Sequence, residues 1–214
     1  MITRTASTVF ILFLLVGTAS PTYADGQGKN LQENAQEVTL LSRIAHQDKE
    51  RSYGKSAFNF RYGLRSDSAE WSRVTLGWYD LLYGNFSPDG DLDWFEIQTI
   101  GDGCCSKIKD LGALQWSDVK TVPVLPATPP TSTGTRGPLP GKSWEESNEQ
   151  RLTKAAAGHL YVVHIKNRAL DTRRTAKFVN DFYAMFRVDT LEPGDSCTIS
   201  WKLVPSPEGK STKR

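Results

Sequence analysis

Two-residue alternation of apolar and polar side chains dominates the C-terminal third of the chain. Phe182, Ala184, Phe186 and Val188 alternate with Tyr183, Met185 and Arg187, and then Cys197, Ile199, Trp201 and Leu203 alternate with Thr198, Ser200 and Lys202. Successive side chains of a strand point to opposite faces, so each run predicts a strand with one buried side. Between them, Glu192-Pro193-Gly194-Asp195 sets proline and glycine at the two central positions of a type II turn, which predicts an antiparallel connection. Residues 160–165 (LYVVHI) are apolar on both sides apart from His164, the pattern of a central strand covered on two faces.

Further upstream, Phe58, Phe60, Tyr62 and Leu64 alternate with Asn59, Arg61 and Gly63, and Val74, Leu76 and Trp78 repeat the period. Gly84-Asn85 and Ser87-Pro88-Asp89-Gly90 are turn chemistry, after which residues 92–100 (LDWFEIQTI) read as another strand. One segment has a different period. Val38, Leu41, Ile44 and Ala45 recur at three- and four-residue spacing between Ala35 and Gln47, which predicts one short amphipathic N-terminal helix. Residues 121–143 hold prolines 123, 126, 129, 130, 138 and 140 among threonines, serines and glycines. Proline lacks the ladder donor and fixes φ, so this stretch predicts a long Pro-rich loop. Residues 145–157 have helix-favouring composition but no apolar stripe. The pattern as a whole predicts a mainly β fold, an antiparallel sandwich or flattened barrel with one short helix and one long loop.

The N-terminus changes the setting. Arg4, the apolar run 9–16 (VFILFLLV) and small Thr22 and Ala24 are the parts of a signal peptide covering residues 1–24. Its apolar core is shorter than the roughly 20 residues a membrane-spanning helix needs, so no transmembrane anchor is expected after cleavage. The expected location is secreted or periplasmic. The mature chain is expected to form a single mostly β domain over 25–204, with a polar, basic and disordered tail over 205–214. The full chain has a formal net charge of +2, and Arg4 is the only charge in the leader, so the mature chain is close to neutral. Such a balance supplies no long-range field for nucleic acid. The one basic cluster, Arg168, Arg173, Arg174 and Lys177, is interleaved with Asp171 and Asp181 and reads as a solvated loop or an anion contact.

Three cysteines in an exported chain permit one disulfide. Cys104 and Cys105 are neighbours, and a bond between neighbours strains their peptide, so either is expected to pair with Cys197. That bond closes a loop of about 90 residues, worth on the order of 4 kcal/mol by chain entropy. The alternative is three reduced thiols with Cys197 packed in the core.

Candidate chemistry is sparse. Asp89, Asp91 and Asp93 in SPDGDLDW place carboxylates on alternate residues of a tight loop, which suits a hard cation such as calcium. The loop departs from an EF-hand, since Trp94 stands where glycine is needed and Ile100 where the closing glutamate is needed; Asp102 or Asn85 would have to complete the site. A solvated acidic turn is the plainer reading. Among six tryptophans, Trp78 and Trp201 fit core-facing phases, whereas Trp71, Trp116 and Trp144 flank charged or polar residues and form the candidate aromatic surface for protein or glycan. Gly141-Lys142-Ser143 lacks the upstream glycine of a phosphate loop, Arg136 standing there instead. His159 and His164 are an odd number apart and so diverge on a strand, which argues against a shared metal. Cys104 or Cys105 could still meet one of them in space as a nucleophile pair.

The runs GHLYVVHIKNR and DFYAMFRVDTLEPGDSCTISWKLVPSPE, with SKIKDLGALQWSDV before them, resemble a set of exported bacterial proteins of unknown function. The resemblance covers roughly the second half of the mature chain and implies a bacterial source without implying a mechanism. Export and β architecture without a catalytic motif point to a non-catalytic binding or surface-associated module. The competing reading is an exported hydrolase in which Asp91, Asp93 and Glu96 supply an acid and a base. A purely structural envelope component is the third.

Overall fold

The computed structural model describes residues 35–46, 53–75, 78–85, 90–98, 106–125, 151–170 and 176–207, with backbone alone for 167–170 and 176–180. The Pro-Gly turn behaves as its chemistry dictates. Gly194 takes φ 74°, the Asp195 amide donates to the Glu192 carbonyl at 3.0 Å, and strands on either side pair antiparallel from Ser196↔Glu192 to Val204↔Tyr183. With the strands numbered in chain order, one sheet contains β1 (Gln36–Leu41), β6 (Lys107–Asp110), β8 (Leu160–Leu170), β9 (Ala176–Glu192) and β10 (Ser196–Val204), in the order β1-β10-β9-β8-β6. The other contains β2 (Ala57–Asn59), β3 (Leu64–Arg65), β4 (Leu81–Tyr83), β5 (Trp94–Ile97) and β7 (Leu152–Lys154), in the order β3-β2-β4-β5-β7. Every pairing in both sheets is antiparallel.

The two sheets bury their facing sides against each other as a β sandwich. Phe186 lies at the centre: it stacks on Tyr161 at 4.8 Å, meets Phe95 edge-on at 5.1 Å and lies 5.9 Å from Phe60. Trp201 closes one side against Phe58 and Phe60. The sequence pattern of 160–165 also finds its reason, because the first sheet is covered twice. Tyr161, Val163 and Ile165 face the sandwich interior, while Leu160 and Val162 join Tyr183, Met185 and Val204 under Trp116, Val119 and Leu125 of the segment after β6. A smaller cluster of Ala57, Trp71, Tyr79 and Leu82 covers the outer face of the second sheet.

Three expected elements differ. The predicted N-terminal helix is a strand: Gln36–Leu41 pairs with β10 from Gln36↔Trp201 to Leu41↔Ser196, and Leu40 is the residue fully buried. Val38 and Leu40 therefore share the inward phase, and Ile44 and Ala45 belong to a turn closed by the His46 amide on the Ser42 carbonyl. Tertiary pairing outweighs a weak helical spacing carried by four apolar residues. The alternation over 58–64 is two strands and a reversal rather than one strand; β2 ends at Asn59, Gly63 takes φ 64°, and β3 folds back so that Phe58 pairs with Arg65. Residues 71–75, where the alternation from Val74 predicts the opening of a strand, form one short helix, α1 (Trp71–Thr75). Of the Pro-rich loop 121–143, only 121–125 lie within the described residues, as do 205–207 of the tail; the leader 1–24 lies outside them. Among the described residues no helix is long and apolar enough to cross a membrane.

Candidate functional site

The acidic loop is tied into the sandwich end. The Tyr83 hydroxyl donates to Asp93 Oδ1 at 2.6 Å, and the Gly194 amide donates to the same oxygen at 2.9 Å. This joins β4, the loop before β5 and the β9–β10 turn through one carboxylate. Burial and the Asp93 carboxylate push the Tyr83 hydroxyl far up, so it stays a donor. Asp91 Oδ1 accepts from the Asp93 amide, and its Oδ2 lies 2.7 Å from Lys154 Nζ. Burial pushes the Asp91 carboxyl up, but the Lys154 ammonium and the Asp93 amide together hold it below the usual range. Asp91 and Asp93 thus direct oxygens at Lys154, Tyr83 and Gly194, and among the described residues no three His, Cys, Asp or Glu side chains are grouped to hold a metal. Asp89 lies outside the described residues.

Glu96 faces the other way. It lies in register with Leu82 and Leu152 on the outer side of the second sheet, where its Oε2 accepts from Asn85 Nδ2 at 2.7 Å. Asn85 Oδ1 in turn accepts from Arg43 at 2.9 Å. Asp93, in the loop before β5, and Glu96, on the outer side of the sheet, therefore bond to separate groups. The paired-carboxylate geometry of a glycosidase needs both on one cleft.

Among the described residues Cys197 carries a free, buried thiol, pushed well up by burial and by the nearby Asp93 charge. Cys104 and Cys105 lie outside the described residues.

The aromatic surface falls on different residues from those the sequence indicates. Trp71 packs with Tyr79 and Leu82 at 5 % exposure, and Trp116 is 6 % exposed beneath Lys202, whose Nζ stands 4.3 Å over its ring. Neither offers an open ring face. Trp144 lies outside the described residues. Trp78, expected in the core, is 42 % exposed, and Tyr62 is 45 % exposed on the reversal between β2 and β3.

One buried amide joins the main chain at these two exposed residues. Asn59 Nδ2 donates to the Trp78 carbonyl at 3.3 Å, while its Oδ1 accepts from the Tyr62 amide at 3.2 Å. Next to it, wholly buried Asp80 accepts the Phe60 amide at 2.9 Å and also a bond from the Arg61 amide. Burial lifts the Asp80 carboxyl to about 7, against the downward pull of those two amides and the Arg61 charge. Placing an acid there is costly, and what it does is close the reversal that carries Arg61 and Tyr62. The Arg61 guanidinium lies 5.7 Å from the Tyr62 ring centroid. The local signal in the sequence is Asn59 followed by Tyr62-Gly63, an Asx-type turn ahead of a left-handed glycine, inside what otherwise reads as strand alternation.

Each histidine meets an aspartate of its own. His46 Nε2 lies 2.6 Å from Asp195, His159 Nδ1 2.9 Å from Asp110, and His164 Nε2 2.8 Å from Asp181. His164 also stacks on Tyr183 at 4.1 Å. His159 and His164 thus bond to different aspartates. Compared with protein-family models, curated proteins and solved structures, the chain matches none.

Proposed function

We propose that this chain is an exported binding or surface-associated β module, secreted or periplasmic, that recognises protein or glycan through Tyr62 and Trp78. The observation carrying the reading is that both exposed rings have their main chain bonded to Asn59, a side chain only 3 % exposed. Large rings supply contact area with few rotatable bonds, and a fixed backbone reduces what must be ordered on binding. That Asp93 and Glu96 bond to separate groups supports binding over a hydrolase built on that pair. The export half of the proposal rests on the leader over residues 1–24.

The test sets the mature chain against a glycan array and against envelope proteins, beside Tyr62→Ala and Trp78→Ala. Each variant is expected to lose roughly tenfold or more in affinity, as central aromatic anchors do, with an unchanged melting temperature. A ligand held equally well by both variants overturns the reading. Mass measurement of the protein from an expressing bacterium is expected to give a chain beginning near Asp25, and a retained leader would remove the export claim.

A further inference from the structure

The hairpin of β8 and β9 outruns its neighbours. On one side β10 accompanies β9 only as far as Val204↔Tyr183, and on the other β6 accompanies β8 only as far as Lys107↔His164. β8 and β9 stay paired from Ile165↔Phe182 out to Leu170↔Ala176, so about 20 Å of two-stranded ribbon continues past the flanking strands. Such a ribbon is marginal in water alone, because a stable sheet takes three or more strands. Along β9, residues Ala176 to Phe182 have no strand beside them on the side β10 has left, among the described residues. Unpaired backbone donors and acceptors on an edge are a template for another strand. The chain after β10 is ill suited to be that strand, since Pro205 and Pro207 lack the ladder N–H.

The edge sequence Ala176-Lys177-Phe178-Val179-Asn180-Asp181-Phe182 complements itself in charge. When it is laid antiparallel against a second copy about Val179, Lys177 of each chain falls opposite Asp181 of the other, and Ala176 falls opposite Phe182. Directly opposed unlike charges stabilise a strand pair. Every other register leaves these charges unmatched or sets like against like. The length of the pairing is also bounded, because beyond Phe182 the place beside β9 is occupied by β10. Asp181 remains half-exposed although it accepts from His164 and lies 3.5 Å from Lys166 Nζ. The register shift between Asn167 and Arg168 leaves Val179 of β9 without a partner on β8, so a bulged residue of β9 itself lies at the centre of this edge.

We infer that two copies of this chain associate through the β9 edge, Ala176 to Phe182, in a two-fold pairing that joins two ribbons into one four-stranded sheet. Sedimentation of the mature chain is expected to show a concentration-dependent dimer. Lys177→Glu opposes two carboxylates at both contacts, and Asp181→Lys opposes two ammonium groups at both, so each variant alone is expected to associate at least tenfold more weakly. An equimolar mixture restores both unlike pairs and is expected to recover the dimer. Val179→Cys is the independent check: opposed Cα atoms in an antiparallel pair lie within disulfide reach, so mild oxidation should give a peptide linking residue 179 of one copy to residue 179 of the other. A wild-type chain that stays monomeric at roughly 1 mM overturns the inference. So do charge variants that dimerise normally, or a Val179→Cys chain that forms no such peptide.

Discussion

β8, β9 and β10 run eleven, seventeen and nine residues, whereas β2, β3, β4, β5 and β7 run two to four. The long strands are held by extended ladders, each with one register shift, and their side chains serve the core. The short ones lean on side chains bonded to backbone. Ser66 Oγ accepts the Ala57 amide and donates to the Gly54 carbonyl, Asn59 bridges Tyr62 and Trp78, and Asp80 closes the reversal after β2. A sheet assembled from brief strands thus spends buried polar groups on shape, and that shape is what presents Tyr62 and Trp78.

The strongest way to break this contrast is at the shared core. Phe186→Ala removes the ring that touches Tyr161, Phe95 and Phe60, and a loss of roughly 3–5 kcal/mol is expected in urea melts. If the sheets are one cooperative unit, hydrogen exchange at Leu81 to Tyr83 accelerates together with that at β9. Persistent protection of β4 would show two separable halves.

The contrast is sharpened by pH. An unfolded aspartate ionises near pH 3.9, whereas buried Asp80 keeps its proton to about 7. Across that window the native state binds more protons than the unfolded one, so Asp80's contribution is fully present below pH 4 and lost as pH rises through 7. The expected loss is about 4 kcal/mol, and Asp80→Asn should abolish it. Asp67 and Asp91, whose carboxyls are held low with Arg65 and Lys154 as partners, act oppositely and at lower pH, so the difference between wild type and variant isolates Asp80. Equal slopes in the two proteins would remove the account of that carboxyl.

The smallest effect is expected at Gly63. A side chain there meets left-handed backbone and would stand 3.2 Å from Trp201 Cζ2, so Gly63→Ala should cost about 1–2 kcal/mol by thermal melt. A neutral result would mean that the reversal after β2 adapts.

The same contrast explains what is legible in the chain. Period-two alternation over 182–188 and 197–203 repeats often enough to fix both phase and partner, and the Pro-Gly turn between them settles direction. The sandwich class is a consequence of those long runs. In β2 and β3 the runs are too short for a period, and Tyr62 falls in phase with the alternation although Gly63 and Asn59 mark a reversal. Trp78 fails because α1 precedes it and its amide bonds back to the Thr75 carbonyl at the end of that helix. Trp71 and Trp116 have polar sequence neighbours, yet α1 and the segment after β6 fold onto sheet faces and bury them. Polar neighbours report only on the local chain. Asp80 carries no sequence signal, since its role depends on amides twenty residues away.

Cys197 sits at 1 % exposure on β10, one residue from the β9–β10 turn, opposite Leu40 of β1 and Leu191 of β9. A reagent reaches its sulfur only when that end of the sheet opens, so the rate at which an alkylating agent modifies residue 197 reports that opening. The protein carries its own stopwatch for that event, and one already present in the unmutated chain.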